Sequence, residues 1–424
     1  YSADAEKEKP LTEIQLDQEN LSLHHGESAV LSVTYLPTDS TEEKSVVWTT
    51  SDEEVATVNE NGTVIAGDKA GTAEITAVSS VNEELTASCE VTVEHIEGEW
   101  EVVDEPTCTE EGSREKKCIR CGKCIHSCPF GAIGSKTYIV NVIEALKSNK
   151  KVYAMAAPAT EGQFGDDITM NSWKKAMEAV GFDGFFEVGL GGDMTAAYEA
   201  EEWAEAYKEG KKKVTSCCPA FVNMVRRHFP ELADNISTTI SPMAAVSRLI
   251  KAKDPEAVTV FIGPCIAKKS EVVDQKIEGN ADYVLTYSEI RAIMKAKSVA
   301  LEPDENSYQE SSVYGKRFAN AGGVTAAVLQ SLKESEDEID AKVCKCNGAA
   351  ECKKALLLMK AGRLPEDFIE GMVCEGGCVG GPSAFNDQIS SKKNRDALIS
   401  NADGRGIHEN LKNYDMDSFS MHRE

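Results

Sequence analysis

The sequence lacks what several broad classes of protein require. No apolar run approaches the roughly 18 residues that a membrane-spanning helix needs. Basic residues are few, because 45 Lys and Arg stand against 71 Asp and Glu, for a net charge of −26. This balance disfavours nucleic acid and anionic membranes as partners, since phosphate groups need cationic side chains. The seven His have no metal-ligand spacing, and GLGG at 189–192 is no dinucleotide-binding fingerprint.

The shortage of positive charge is concentrated in the first hundred residues. These hold 22 acidic and 4 basic residues, whereas the remaining 324 hold 49 and 41. Together with a length of 424 residues, this asymmetry predicts two or three domains of separate origin. The chain begins at Tyr1 with neither Met nor a signal peptide, so we expect a processed, trimmed or fragmentary chain.

After a tail at 1–10, residues 11–96 are predicted to form a small all-β domain. Short segments with period-2 alternation are separated by turn signals such as Asn61-Gly62, a pattern typical of a β-sandwich. The text VVWTTSDEEVATVNENGTVIAGDKAGTAEITA resembles the bacterial immunoglobulin-like (Ig-like) domain of group 2. This resemblance implies a spacer or adhesion module, usually on exported proteins, without catalysis.

Residues 97–115 form a polar connector, and from residue 136 strands alternate with helices. The alternation predicts parallel sheets covered by helices on both faces. Two predicted strands run directly into cysteines, at the end where open α/β sheets place their ligands. We therefore expect a multidomain chain with an Ig-like sandwich, a small cysteine-rich domain at 116–135 and an α/β domain at 136–424.

The 14 cysteines are the most informative residues. Tight clusters of cysteine in a large α/β chain indicate metal or redox chemistry rather than a disulfide framework. The spacing C-x2-C-x2-C-x3-C-P lets one loop surround a [4Fe–4S] cluster, and CIRCGKCIHSCPFGAI resembles half of a bacterial ferredoxin. The predicted ligands are Cys118, Cys121, Cys124 and Cys128.

Two cysteines precede this loop. Cys108 is an alternative ligand of the same cluster, although the four-cysteine run is favoured. Otherwise we expect Cys89 and Cys108 to be plain buried or connector thiols, or a disulfide if the compartment is oxidising.

Three later segments place cysteine beside glycine or proline: TSCCP at 215–219, GPCIAKK at 263–269 and EGMVCEGGCVGGP at 370–382. Glycine lets the backbone approach a bulky cofactor and donate N–H groups to sulfur. Zinc is the alternative, but zinc sites are usually built from two close cysteine pairs. Cysteine ligands from strands that are far apart in sequence indicate a larger inorganic cofactor.

These segments resemble the three signature motifs of the [FeFe], or iron-only, hydrogenases, and the resemblance runs from about residue 118 to the C-terminus. It is nearest to a monomeric subgroup from anaerobic bacteria. It implies an H-cluster, which is a [4Fe–4S] subcluster joined to a two-iron unit carrying CO, cyanide and a dithiolate. The implied ligands are Cys218, Cys265, Cys374 and Cys378.

The same resemblance implies roles for residues that bind no iron. Cys217 would pass protons to and from the two-iron unit, which suits a thiol because its pKa lies near the working pH. Lys268 would hydrogen-bond a cyanide ligand. Pro158 and Ala159 would line the other cyanide, and Met372 would pack against the two iron atoms.

A proton relay further from the metal is implied at Glu199, Glu202 and Ser237. The two glutamates are three residues apart on a predicted helix, so they share one face. The alternative is a solvated acidic face, because the helix also carries Glu201 and Glu205.

The sequence departs from the family pattern at three places. Gly263 stands where the family usually has Met, Ala220-Phe221 where it has Gly-Trp, and Glu375 where it has Pro. We expect Gly263 to open space near the cofactor and Glu375 to add charge, and both changes alter the surroundings that tune a cluster.

Cys344, Cys346 and Cys352, in CKCNGAAEC, belong to no motif. Three thiols with one outside ligand could hold another metal. We favour ordinary packing, since free cysteine is commonly buried.

The sequence thus predicts an [FeFe] hydrogenase that catalyses 2H⁺ + 2e⁻ ⇌ H2. Electrons would enter through the 118–128 cluster from ferredoxin or a similar low-potential carrier, and maturation enzymes would assemble the H-cluster. The alternatives are a hydrogen sensor, a non-catalytic hydrogenase-like iron–sulfur protein and a cell-surface binding protein led by the β-domain. Localisation stays open, because the Ig-like domain suggests export whereas the clusters require assembly in the cytoplasm.

Overall fold

The computed structural model describes residues 9–24, 27–67, 69–94, 117–304, 306, 308–337 and 339–423. The chain divides into two units, within residues 1–107 and within residues 108–424. Cys108 and the predicted connector at 97–115 lie outside the described residues. None of the described helices is both long and apolar enough to cross a membrane.

The first unit is built from β-strands. They are β1 (Glu13–Leu16), β2 (Asn20–His24), β3 (Ser28–Val30), β4 (Val33–Leu36), β5 (Val46–Thr50), β6 (Ala56–Val58), β7 (Thr63–Ala66), β8 (Gly71–Ser79) and β9 (Thr86–Glu94). One sheet has the order β2-β9-β8-β5, a second has the order β3-β7-β6, and β1 pairs with β4. Every pair is antiparallel except β2 with β9.

The core of this unit joins the two larger sheets. Val64 of β7 packs in one apolar cluster with Ile75 of β8 and Val91 of β9, and all three are fully buried. The alternation along β8 and β9 buries every second side chain, as a half-buried strand requires. The predicted Ig-like sandwich is confirmed, and Cys89 is a buried thiol of its core.

The second unit alternates strands with helices. Its strands are β10 (Val152–Ala156), β11 (Gly184–Glu187), β12 (Lys213–Val214), β13 (Val258–Ile262), β14 (Tyr283–Leu285), β15 (Val343–Asn347) and β16 (Phe368–Met372). Its helices are α1 (Lys123–His126), α2 (Ile139–Lys147), α3 (Met170–Val180), α4 (Gly189–Lys208), α5 (Pro219–His228), α6 (Pro242–Lys253), α7 (Lys268–Glu271), α8 (Tyr287–Ala296), α9 (Val313–Arg317), α10 (Gly323–Glu334), α11 (Ala349–Lys360), α12 (Gln388–Ile399) and α13 (Ile407–Leu411).

Local signals in the sequence account for several helix ends. Thr286 and Glu289 form a capping box that satisfies backbone N–H groups at the start of α8. Helix α3 begins with the same reciprocal arrangement at Thr169 and Ser172, and it stops at Gly181, whose φ of 108° suits glycine. Proline occupies the first turn of α5 and α6, where its missing N–H costs nothing.

The larger sheet has the order β11-β10-β13-β14, with every pair parallel. Its strands are buried on both faces. In β10, Ala154 packs into a core formed with α3 and α8, whereas Met155 packs on the opposite face against α6. Helices on both faces explain why the strand sequences are continuously apolar.

The second parallel sheet has the order β12-β16-β15. In β16, Phe368 stacks on Trp203 of α4 at a ring-centroid distance of 4.3 Å. The next residue, Ile369, packs on the other face with α5 and α11. The α/β architecture predicted from the sequence, with parallel sheets between helices, is therefore confirmed.

Two element boundaries differ from the sequence prediction. The apolar spacing of the sequence predicts a helix over 195–207 and a strand that ends at Cys217. Helix α4 instead begins at Gly189, six residues earlier. A Cβ at Gly191 would overlap the backbone of Pro242, so the GLGG segment allows α4 to approach α6. Strand β12 ends at Val214 rather than at Cys217, so TSCC is not part of the sheet.

Gly371→Ala tests the contact between β16 and α5. A Cβ at this position would overlap the ring carbons Cγ and Cδ1 of Phe221, which is fully buried. We expect the variant to lose about 1–3 kcal/mol of unfolding free energy, as overpacked cores do. The measurement is the urea midpoint by circular dichroism. Gly404→Ala is the control, because nothing lies within 4 Å of its added Cβ. Equal midpoints for the two variants would contradict this packing.

Candidate functional site

Four strand ends of the second unit meet around one cavity. Strand β10 leads into the turn at Pro158, β12 leads toward Cys217, β13 precedes Cys265, and β16 precedes Cys374. The cavity has a volume of about 70 Å³, larger than the ~10–15 Å³ that one water occupies on this measure. Nine residues predicted from the motifs line it: Pro158, Ala159, Cys217, Cys218, Cys265, Lys268, Met372, Cys374 and Cys378.

The cysteines of this cavity fit an iron–sulfur cofactor by donor chemistry. They provide soft sulfur ligands in an apolar surrounding, which thiolate-bound clusters prefer. Burial raises the pKa of Cys265 to about 12 and that of Cys378 to about 11. Metal binding would therefore displace protons from these thiols. In the described part of the chain, no three His, Cys, Asp or Glu side chains converge as ligands of a single ion do.

Lys268 points its ammonium group toward the same cavity. Its Nζ donates to Ser241 Oγ at 2.8 Å and to Glu271 Oε2 at 2.6 Å, and it lies 3.5 Å from the carbonyl oxygen of Cys217. The pairing with Glu271 compensates a cation that is only 8% exposed. The motif analysis missed Glu271 and Ser241, although the i,i+3 spacing of Lys268 and Glu271 was a usable signal.

The space beside Gly263 is not open, which corrects one expectation. A Cβ at Gly263 would lie 2.8 Å from the Cβ of Ala157 and 2.9 Å from a ring carbon of Phe261. Phe261 itself lines the cavity and takes the room that Gly263 leaves. Glu375, the other departure with an expected effect, has an exposed side chain, where solvent screens its charge.

The turn that carries Pro158 and Ala159 is supported by buried charges. Arg395, 1% exposed, donates from Nε to the carbonyl oxygen of Pro158 at 3.3 Å. Lys316 forms buried ion pairs with Glu161 and Glu187 behind the turn. Lys316 is compensated by the two carboxylates, and the Arg395 guanidinium is satisfied by oxygen acceptors such as the Pro158 carbonyl, so buried polar contacts support the turn at the cavity.

The predicted relay residues lie in one region of α4 and its neighbours. Ser237 Oγ donates to Glu202 Oε2 at 2.6 Å. Glu199 is fully buried, and its carboxylate oxygens have no well-formed hydrogen bond among the described residues, although the Trp203 side chain is near enough to lower its pKa. Burial and the charge of Glu202 raise the pKa of Glu199 to about 8. The pKa of Cys217 is raised mainly by burial and next by the negative charge of Glu199, so the two groups lie close enough to interact electrostatically.

Glu202 is the outer member of this group. Lys213 Nζ lies 2.7 Å from Glu202 Oε1, and the backbone N–H of Thr238 donates to the same carboxylate at 3.1 Å. These contacts hold the pKa of Glu202 below its usual range despite burial. A surface depression lined by Glu202, Tyr198 and His422 opens beside it. Glu201 and Glu205 are exposed, so α4 has both a solvated acidic face and a buried carboxylate.

The ferredoxin-like loop packs on the second and third motifs and on α5. Gly122 has a φ of 78°, and a Cβ there would lie 2.7 Å from Ile266 and 2.9 Å from Pro382. Asn223 of α5 donates to the carbonyl oxygen of Ile119 at 3.2 Å. Cys121 of this loop lines the cavity as well. The two groups of predicted cluster ligands are therefore adjacent.

The loop itself offers thiols in a setting suited to iron. Cys118 and Cys124 are exposed, and Cys121 and Cys128 are partly buried. Backbone N–H groups, that of Phe130 first, lower the pKa of Cys128 and stabilise its thiolate. Sulfur that accepts backbone hydrogen bonds is a common feature of iron–sulfur sites.

Family models match all three predicted regions. Residues 150–382 match the iron only hydrogenase large subunit, C-terminal domain, which is more than half of the chain. The chain belongs to the iron-only hydrogenase family. Residues 114–134 match the 4Fe-4S binding domain, and residues 10–91 match the bacterial Ig-like domain (group 2). Iron–sulfur binding and the Ig-like domain are thus supported independently of the hydrogenase motifs.

Curated relatives have moderate identity to this chain. Iron hydrogenase 1 of Clostridium pasteurianum is 30% identical over 349 residues, covering 66% of this chain and 60% of the relative. The NADP-reducing hydrogenase subunit HndD of Solidesulfovibrio fructosivorans is 28% identical over 357 residues, covering 70% and 61%. The chain spans about three fifths of the length of both. The cytosolic Fe-S cluster assembly factor NAR1 of Kluyveromyces lactis is 27% identical over 137 residues, covering 30% and 29%.

Solved structures share the fold of the second unit. The [FeFe]-hydrogenase HydA(ΔEFG), from a study of stepwise H-cluster assembly, has a TM-score of 0.53 at 21% identity, covering 65% of this chain and 92% of that one. A variant of HydA1 from Chlamydomonas reinhardtii has a TM-score of 0.50 at 21% identity, with the same coverage. At this identity the match supports the α/β hydrogenase fold alone.

Glu199→Gln tests the buried carboxyl. The pKa of Glu199 rises from its ordinary value of 4.5 to about 8, so the folded chain holds a proton that the unfolded chain releases between these pH values. This contribution to stability is lost as the pH rises. The wild type should lose up to about 1.4 kcal/mol per pH unit relative to the variant. Urea unfolding across this pH range measures the slope. Parallel slopes in the two proteins would contradict a neutral Glu199.

Proposed function

We propose that the chain is an [FeFe] hydrogenase that interconverts protons, electrons and H2. The observation that carries the proposal is the thiol of Cys217. It lies at the cavity with the four proposed iron ligands and next to a buried, unpaired carboxyl, Glu199. A purely structural or assembly role needs the four ligands but has no use for a protonated thiol and carboxyl leading away from them.

The proposed ligands of the H-cluster are Cys218, Cys265, Cys374 and Cys378. When bound, the two-iron unit supplies the metal site at which two electrons and two protons combine as H2. The protein provides a dry, enclosed surrounding and a cation, because Met372 is 3% exposed and Lys268 presents its ammonium group. Lys268 would donate a charge-assisted hydrogen bond to a cyanide ligand, and Pro158 and Ala159 would line the other.

The proposed proton route leaves the cavity through α4. The Sγ atom of Cys217 holds a proton, because burial first of all raises its pKa well above the ordinary value. Glu199 has a pKa of about 8, so its carboxyl can gain or lose a proton near neutrality. Ser237 donates a hydrogen bond to Glu202, which lines the surface depression. Reorientation of Glu199 between Cys217 and Ser237 would complete the route.

The proposed electron route enters through the cluster at Cys118, Cys121, Cys124 and Cys128. Cys121 lines the cavity of the second cluster, which makes the loop the natural entry to it. Residues 117–136 hold four cationic side chains and no Asp or Glu, in a chain of net charge −26. Phe130 is 89% exposed beside them. An exposed aromatic ring among cations suits an acidic electron-carrier protein such as ferredoxin.

A hydrogen sensor is the second candidate, since the same H-cluster residues would serve it. The sequence differs from the family pattern at Gly263 and at Ala220-Phe221, and such changes around a cofactor can shift the balance between turnover and ligand sensing. A turnover rate separates the two functions. Relatives such as the assembly factor NAR1 favour a third outcome, in which the cubane clusters are present without the two-iron unit.

Infrared spectroscopy tests the proposal directly. The full chain is co-expressed with hydrogenase maturation enzymes and purified without oxygen. We expect sharp bands from iron-bound CO and cyanide, together with hydrogen evolution from reduced carrier. Cubane iron without these bands would overturn the hydrogenase assignment.

Cys217→Ala tests the proton route in the same preparation. We expect the infrared bands to persist and hydrogen evolution to fall by about 10²-fold or more, the usual effect of removing a proton-transfer group. Cys89→Ala, which removes a buried thiol from the Ig-like domain, should change neither readout. Full activity in the Cys217 variant would exclude this thiol from proton transfer.

Lys117→Glu combined with Lys123→Glu tests the electron partner. We expect the rate of electron transfer from an acidic ferredoxin to fall about tenfold at low ionic strength, because complementary charge accelerates association. The difference should shrink in high salt. Lys392→Glu with Lys393→Glu, a pair exposed on α12, is the matched control. An equal loss in both double variants would argue against docking at the loop.

A further inference from the structure

Three cysteines outside the proposed cluster sites lie together at the edge of the smaller parallel sheet. Cys344 and Cys346 are on β15, and Cys352 is in the first turns of α11. Strand β15 pairs with β16, with Cys346 opposite Gly371 of the third motif. Neither the cluster ligands nor the proton route uses these residues.

The three thiols form a chain of contacts from the surface inward. Cys344 Sγ lies 3.9 Å from Cys346 Sγ. Cys346 and Cys352 pack in the same buried cluster and each shifts the pKa of the other, so Cys346 is the member that lies next to both other thiols. Cys344 is partly exposed, whereas Cys346 is 2% exposed and Cys352 is fully buried. A small oxidant therefore reaches Cys346 from the side of Cys344.

Disulfide geometry distinguishes the two possible pairs. Cys344 and Cys346 are two residues apart on an extended strand, where the Cα atoms are about 6.6 Å apart, near the upper limit for a bridge. Cys346 and Cys352 belong to different elements that meet at Gly348. There the N–H of Cys352 donates to the carbonyl oxygen of Gly348 at 3.1 Å. A bond between Cys346 and Cys352 would close the short loop that joins β15 to α11.

We propose that Cys346 and Cys352 are a redox-active pair that forms a reversible disulfide, with a hydroperoxide as oxidant. Cys346 is oxidised first: its thiol and hydrogen peroxide give a sulfenic acid and water. The Cys352 thiol then attacks that sulfur, which forms the S–S bond and releases a second water. Both electrons removed from the two thiols reduce the peroxide, and a small dithiol returns the pair to its reduced form.

The position of the pair places its disulfide close to the proposed cluster ligands. Cys346 and Cys352 pack in the same apolar core as Phe221, and the proposed iron ligands Cys218 and Cys265 contact that core. Oxidation would draw α11 toward β15 beside those ligands. The pair is thus placed to meet peroxide before it reaches the cluster cavity from this side.

Peptide mapping tests the proposal, because trypsin cleaves after Lys345 and Lys353 and so separates Cys344 from the other two thiols. Trypsin releases Cys344 in the peptide 343–345, and Cys346 with Cys352 in the peptide 346–353. The full chain with its iron–sulfur clusters is treated with stoichiometric hydrogen peroxide, denatured and alkylated. We expect the 346–353 peptide to lose two hydrogen atoms and both alkylation sites, and a dithiol to restore them before alkylation.

Single substitutions identify the disulfide-forming pair without any measurement of hydrogenase activity. Cys346→Ser and Cys352→Ser should each abolish the intrapeptide bond, while Cys344→Ser should retain it. Cys89, a buried thiol of the other unit, should stay alkylated throughout. Peptides 343–345 and 346–353 joined by a disulfide would overturn the assignment of the pair. Full alkylation of all three thiols after peroxide would overturn the redox role itself.

Discussion

The second unit depends on one constraint: thiols from segments that are far apart in sequence must meet in a single buried cavity. Parallel sheets meet this requirement, because every strand of a sheet ends at the same edge. The cysteines at 218, 265 and 374 follow strands β12, β13 and β16 of two different sheets. Any shift of one sheet against the other would separate the thiols that line this cavity.

Close backbone packing holds the two sheets and the ferredoxin-like loop in place. Gly371 leaves room for the ring of Phe221, and Gly122 lets the loop rest on Ile266 and Pro382. Phe261 and Ala157 fill the space beside Gly263. Glycine therefore serves this site less by flexibility than by the absence of a side chain where another element must fit.

Buried charge is arranged unequally around the cavity. Lys268 is paired with Glu271, and Lys316 is paired with two glutamates, so these cations are compensated where they stand. Glu199 is the contrast, because it is fully buried and its carboxylate oxygens have no partner among the described residues. An unpaired buried carboxyl costs stability, and proteins retain such groups mainly where proton transfer requires them.

The sequence by itself determined the main secondary-structure elements and predicted the cysteines proposed as cluster ligands. Period-2 alternation identified the Ig-like sandwich, continuous apolar strands identified the parallel sheets, and cysteine spacing identified the iron–sulfur loop. These features are local, so a short stretch of residues records them.

Only the tertiary structure decided the rest. Sequence reasoning placed Glu199 and Glu202 on one helical face, but burial separates them into a neutral inner carboxyl and an outer one paired with Lys213. It expected open space at Gly263, where the side chains of Phe261 and Ala157 lie instead. It also could not order the thiols at 344, 346 and 352 from the surface inward. Burial and pairing depend on residues far away in sequence, and the physical reason is that packing, unlike periodicity, is not a local property.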